Sequence, residues 1–238
     1  MTKMKKSRIF IVGALALSLF ASSGCGSMNN TGKGALIGGG GGTALGAGLG
    51  ALIGGGKGAA IGAGVGAAVG AGAGALIGRK MDKQKKELEE QLANSAEVST
   101  VTDQNGLQAI KVTFNGGILF PTNGTTLSAS ARKDLTGFAS SLINNPQTNV
   151  QIYGFTDNTG TLAVNEKVST GRADAVRTFL VNSGVSSNRI TAQGLPMQDY
   201  VASNDTAEGR AQNRRVEIYI SADENMIKAA ENGTLAVN

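Results

Sequence analysis

The chain has 238 residues, 36 of them glycine, with 22 basic and 17 acidic side chains for a formal net charge of +5. It contains no histidine, no tryptophan and one cysteine. That excludes Ser-His-Asp and Cys-His chemistry, most zinc sites and any internal disulfide, and no cofactor or metal is expected. Lys3, Lys5, Lys6 and Arg8 carry most of the excess positive charge. Without them the chain is nearly neutral, which leaves no basic face for a nucleic-acid partner.

Those four cations precede the apolar run IFIVGALALSLF, residues 9–20, which is too short to span a bilayer comfortably. Residues 1–24 therefore read as a targeting signal. The small residues of ASSGC, ahead of the lone Cys25, resemble the bacterial lipobox. The resemblance implies lipidation at Cys25 and an anchor in outer-membrane lipid, Gly26 rather than an aspartate following the cysteine. Ser22 departs from the aliphatic residue usual in that pattern.

Residues 25–33 form a short polar lead. From Gly34 to Gly78 a glycine occupies every fourth position. On a helix such positions fall on nearly one line, giving a groove into which a second backbone can pack closely. Lys57 interrupts the uncharged stretch near its middle, so the spacing predicts a helical hairpin over 34–78. Solvated coil and a packed soluble hairpin are the competing readings. The block resembles the glycine-zipper segments of bacterial outer-membrane lipoproteins, which implies membrane association and a homo-oligomer through the zipper.

Residues 79–96 are dense in charge, with Lys83, Lys85 and Lys86 each four residues before a glutamate. This predicts a solvated helical spacer, with Met81, Leu88 and Leu92 forming a short apolar seam. Residues 97–220 have the composition and size of a globular domain. A hairpin is expected around Asn105-Gly106. Leu127, Ala131, Leu135, Phe138 and Leu142 mark a helix. NVQIYGF is a strand, Val164 to Val181 a second helix, RITAQGL a strand, and RRVEIYI a last strand with Val216, Ile218 and Ile220 on one face. Alternating strands and helices in so short a span predict an α+β fold, a two-layer α/β sandwich. In the tail, 221–238, Ser221 and Glu224 suggest a capping box and Asn232-Gly233 a stop, hence a short helix.

Arg172 breaks the pattern. It shares a line with Val168, Val176 and Leu180, the stripe that should face the sheet, and a buried guanidinium demands a partner. Asp157, in the turn GFTDNTG, is the nearest candidate. A structural Asp157–Arg172 pair and a site for a ligand carrying both an ammonium and a carboxylate are both compatible with this spacing.

GFTDNTG, NEKVSTGRADAV and NDTAEGRAQNRRVEIYI match in order and spacing the signature of the OmpA C-terminal-like, peptidoglycan-associating domain. The resemblance covers about 112–220. It implies non-enzymatic, non-covalent binding of peptidoglycan through the diaminopimelate of the stem peptide. It implies Thr156 and Asp157 of the TDN motif, Asn165 and Arg172 on the helix, and Asn213 and Arg214 before the last strand as the ligand-binding residues. Asn123, in the loop ILFPTNGTTL, is a further candidate. Phe155, Gly171 and Pro121 depart from residues common in the family. The combination resembles OmpA-family lipoproteins that tether the outer membrane to the wall, with the domain in the periplasm. The alternative is an oligomeric zipper, pore or stator-like, for which the domain is only an anchor. A wall hydrolase would need two placed carboxylates, and the matched segments offer one.

Overall fold

A computed structural model describes residues 69–237, apart from 104 and 122–123. Cys25, Asn123 and the glycine repeat before Val69 lie outside the described residues. The elements run α1 (Ala71–Leu92), β1 (Ala96–Thr102), β2 (Gln108–Asn115), α2 (Gly116–Leu119), α3 (Ala129–Asn144), β3 (Thr148–Phe155) and α4 (Leu162–Asn182). A short 3-10 turn (Ser187–Arg189), β4 (Ile190–Leu195), α5 (Ala207–Asn213), β5 (Arg215–Ala222) and α6 (Glu224–Glu231) follow.

The five strands are ordered β1-β2-β5-β3-β4. Only the β3–β4 pair is parallel, as it must be when a long helix, α4, returns the chain to the same end of the sheet. Strand alternation sends Ile110, Val112, Phe114, Val150, Ile152, Val216, Ile218 and Ile220 to one face, where all are fully buried. Helices pack there: the predicted stripe Ala131, Leu135, Phe138 and Leu142 on α3 is buried, and Phe138 meets Phe114 edge to face at 6.4 Å. The mixed α+β sandwich expected from the sequence is the fold observed.

The Asn105-Gly106 turn closes the β1–β2 hairpin, with Gly106 at φ 72°. Asp103 organises it: its Oδ1 accepts from the amides of Asn105 and Leu107 at 2.8 and 2.9 Å. Its Oδ2 is buried with no partner among the described residues. Burial accordingly pushes the Asp103 carboxyl up to about 6, against the lowering effect of those amides.

The charged segment departs from a free spacer. It belongs to α1, whose Ala73, Ile77, Met81, Leu88 and Leu92 form one buried stripe in the core, continued backward by Val69. α1 packs on α3, α6, β1 and β2. Gln84 donates to Ser141 Oγ at 3.4 Å, and Gln108 donates to Asp82 Oδ1 at 2.7 Å. The seam spacing of four and seven is the helical one, and its cost of exposure outweighs the pull of the charges toward water. The last glycines of the fourfold repeat, Gly74 and Gly78, are thus on a helix applied to the domain. Among the described residues no helix is long and apolar enough to cross a membrane. The tail helix is also present but differently capped: β5 runs on through Ala222, and Asp223, not Ser221, accepts from the Met226 amide at 2.7 Å.

Candidate functional site

Four segments meet at one end of the sheet: the turn after β3, the first turns of α4, the stretch from α2 to Pro121, and the end of α5. Between them lies a cleft of about 550 Å³, lined by Phe120, Thr156, Asp157, Asn165, Arg172 and Arg214 among others.

The turn after β3 is built from its own side chains. Asp157 Oδ1 accepts from the Thr159 amide at 2.8 Å, closing an Asx turn. Gly160 follows at φ 89°, a conformation costly for other residues. Thr161 caps α4 by accepting from the Val164 amide. Asn165 Nδ2 donates to the carbonyls of Thr159 and Thr161 at 2.9 and 3.0 Å, holding turn and helix together. Thr156 Oγ1 accepts from the Met197 amide at 3.1 Å, which ties the loop after β4 to the floor of the cleft.

Helix α4 approaches β3 so closely that a Cβ at Gly154 would collide with the Ser169 carbonyl. This contact sets the height of α4 over the sheet, and with it the position of Arg172. Arg172 is on the buried stripe, as its spacing predicts, and only 4% exposed. Its Nε donates to the Gly124 carbonyl at 3.2 Å, and its guanidinium lies 5.4 Å from the Phe120 ring centre. Its Nη1 is buried without a partner among the described residues. Burial first, then the charge of Arg214, lower its proton affinity, and Asp157 offsets part of that.

The direct Asp157–Arg172 pair, one of the two readings open from the sequence, is not formed among the described residues. Asp157 Oδ2 receives Arg214 Nη1 instead, at 2.6 Å. The reason is backbone placement: the Gly116 amide donates to the Arg214 carbonyl at 2.7 Å, which pins Arg214 at the mouth of the cleft. Burial alone would raise the Asp157 carboxyl. Hydrogen bonds from Arg214 and Thr159, with the Arg214 charge, outweigh burial and hold it below the ordinary carboxylate range.

Asn213 is not part of the cleft lining. It is fully buried, accepts from the amides of Val201 and Ala202, and donates to the Ala202 carbonyl and Asn204 Oδ1. Its four bonds brace the loop before α5. Arg210, which the motif reading passed over, does line the cleft while donating to the Asn204 carbonyl at 2.7 Å. The structure therefore brings Thr156, Asp157, Asn165, Arg172 and Arg214 together and leaves Asn213 as scaffold.

The neighbouring residue of β5 points to the other face of the sheet. Arg215 stacks on Phe155 at 3.8 Å and donates to Glu217 at 2.7 Å. Lys111 and Tyr219 also bond Glu217, at 2.8 and 2.7 Å. Burial works to raise the Glu217 carboxyl, and these three donors hold it below its ordinary value. The network is internally satisfied, whereas the cleft holds a buried donor with no acceptor among the described residues. Among the described residues no cluster of acidic or thiol side chains could hold a metal ion.

Two segments of the chain are similar to known proteins. Residues 4–86 match a family described as YMGG-like Gly-zipper. The chain is 38% identical over 144 residues to Probable lipoprotein YiaD of Escherichia coli, covering 60% of this chain and 64% of that one. It is 40% identical over 113 residues to the peptidoglycan-binding protein ArfA of Mycobacterium bovis, covering 48% of this chain and 35% of that one. The chain thus spans less than two thirds of the length of either relative. Among solved structures, the cell wall anchor of the T6SS from Pseudomonas aeruginosa superimposes with a TM-score of 0.50 at 30% identity, over 57% of this chain and 97% of that one. The family described as OmpA family matches at residues 119–214, a span that contains the cleft residues from Phe120 to Arg214. Residues 119–214 are thus similar to the OmpA family, beside a glycine-zipper match over residues 4–86.

Proposed function

We propose that the chain binds peptidoglycan without covalent bonds and without catalysis, gripping the diaminopimelate of the stem peptide in the cleft. With a lipid on Cys25, it would hold the outer membrane to the wall from the periplasmic side. The observation that carries this reading is the buried Nη1 of Arg172, without a partner among the described residues, in a cleft that also holds Asp157. A guanidinium in that position is incomplete until an acceptor arrives, and a carboxylate is the acceptor its planar donors fit best. Asp157, held ionised, supplies the opposite charge for an ammonium on the same ligand. A zwitterionic centre satisfies both.

The family match and the names of the relatives support the same partner: one is a peptidoglycan-binding protein, and one solved structure is a cell wall anchor. Attachment at a lipid and at the wall makes the second contact intramolecular, so modest affinity at the cleft suffices. The test is co-sedimentation of the detergent-solubilised full chain with diaminopimelate-type sacculi. The expected result is pelleting that free diaminopimelate abolishes, with no muropeptides released. Pelleting unaffected by the free amino acid would contradict the assignment of the cleft, and released muropeptides would contradict the non-enzymatic reading.

A further inference from the structure

The cleft as it stands presents a difficulty for its ligand. The carboxylate that should receive the ammonium is already taken: Asp157 gives Oδ1 to the Thr159 amide and Oδ2 to Arg214. Resting on the diaminopimelate reading above, we propose that Arg214 is a displaceable counter-ion that makes the site demand both charges of its ligand at once.

The two arginines facing Asp157 differ in how they are held. Arg172 is buried and fixed through Nε to the Gly124 carbonyl. The Arg214 side chain is 42% exposed, and among the described residues its guanidinium bonds only Asp157. The fold does not depend on that bond, because the Arg214 backbone is positioned separately by the Gly116 amide. The Asp157 carboxylate itself is only 8% exposed, so it needs a cation beside it at all times. Arg214, on the exposed side of the pair, is free to swing away once another cation takes its place.

A ligand offering only an ammonium meets a carboxylate already neutralised, with Arg172, Arg210 and Arg214 all lining the same cleft. It is repelled by the three cations and must compete with Arg214 for Asp157. A ligand offering an ammonium and a carboxylate together gives Arg214 somewhere to go. The guanidinium leaves Asp157 to the ammonium and joins Arg172 on the incoming carboxylate, so the one ion pair broken is replaced and both arginines gain an acceptor. Arg214 is a specificity-determining residue on this reading: it excludes simple amines from the site.

The test is calorimetric titration of the full chain in detergent with meso-diaminopimelate and with 1,5-diaminopentane, comparing wild type, Arg214→Gln and Arg214→Lys. Wild type is expected to bind diaminopimelate and to prefer it over the diamine by about tenfold or more. Arg214→Gln is expected to tighten diamine binding about fivefold, the effect of releasing one partly exposed ion pair. Arg214→Lys, which can restore the pair, is expected to return the diamine to wild-type affinity. Diamine binding that is unchanged or weaker in Arg214→Gln, in a protein whose wild type binds diaminopimelate, would overturn the counter-ion role alone. A wild type that does not bind diaminopimelate would overturn the reading of the cleft, and this inference with it.

Discussion

Asp157 and Arg172 face the same cleft, yet Asp157 is paired with Arg214 while one nitrogen of Arg172 has no partner among the described residues. A structural salt bridge would join the two residues directly. Their separation in the free protein is the arrangement that the proposed bridging ligand requires.

One substitution separates binding from folding. Asp157→Asn retains an oxygen for the Thr159 amide but removes the charge. We expect loss of sacculus binding with a change in stability of no more than about 1 kcal/mol, since the Arg214 partner is partly exposed. Pelleting and thermal unfolding of the same preparation check both halves.

Helix α1 is expected to be part of the folding unit rather than a spacer. Met81→Ala or Leu88→Ala removes a fully buried side chain and should cost about 2–5 kcal/mol. A chain begun at Glu97 would uncover the whole face on which α1 rests and should unfold or aggregate, while one begun at Val69 should fold. Urea titration of the point variants and size-exclusion chromatography of the two truncations test this.

Gly154→Ala probes how the fold sets the site. The added methyl meets the Ser169 backbone, which cannot yield without lifting α4 and the Arg172 it carries. Both lower stability and weaker sacculus binding are expected. Unchanged values for both, by thermal unfolding and pelleting, would show that α4 is not held at this height.

Asp103 gives a pH signature unusual for an acid. Its carboxyl is raised to about 6, so it stabilises the fold when protonated and withdraws that stability as pH rises through about 6. Since the chain has no histidine, little else titrates in this window. The native state should be more stable at pH 5 than at pH 7.5 by about 1–1.5 kcal/mol. Asp103→Asn should flatten that difference, measured by chemical denaturation at the two pH values.

Much of this was legible in sequence because period and position agree. The stripe on α3, the Asn105-Gly106 hairpin and the alternation of Val216, Ile218 and Ile220 each state an element and its buried face together. Arg172 announced itself as a polar residue on an apolar line. What escaped were relationships set by distant backbone. The Asp157–Arg214 pair depends on the Gly116–Arg214 bond, which joins segments about a hundred residues apart in sequence. The burial of α1 escaped because its charges outnumber its apolar residues, although the seam extends from Val69 to Leu92. The other face of β5 was open to the same alternation argument. Arg215, Glu217 and Tyr219 share it, and Lys111 of β2 joins their network.

The most direct measurement is co-sedimentation of the full chain with diaminopimelate-type sacculi, wild type beside Arg172→Met. Methionine keeps the apolar volume against Phe120 and removes an incompletely paired buried charge, so the variant should be folded and at least as stable. Wild type that pellets and a folded variant that stays in the supernatant is the predicted result. Equal pelleting of the two would contradict the claim that this cleft holds the wall.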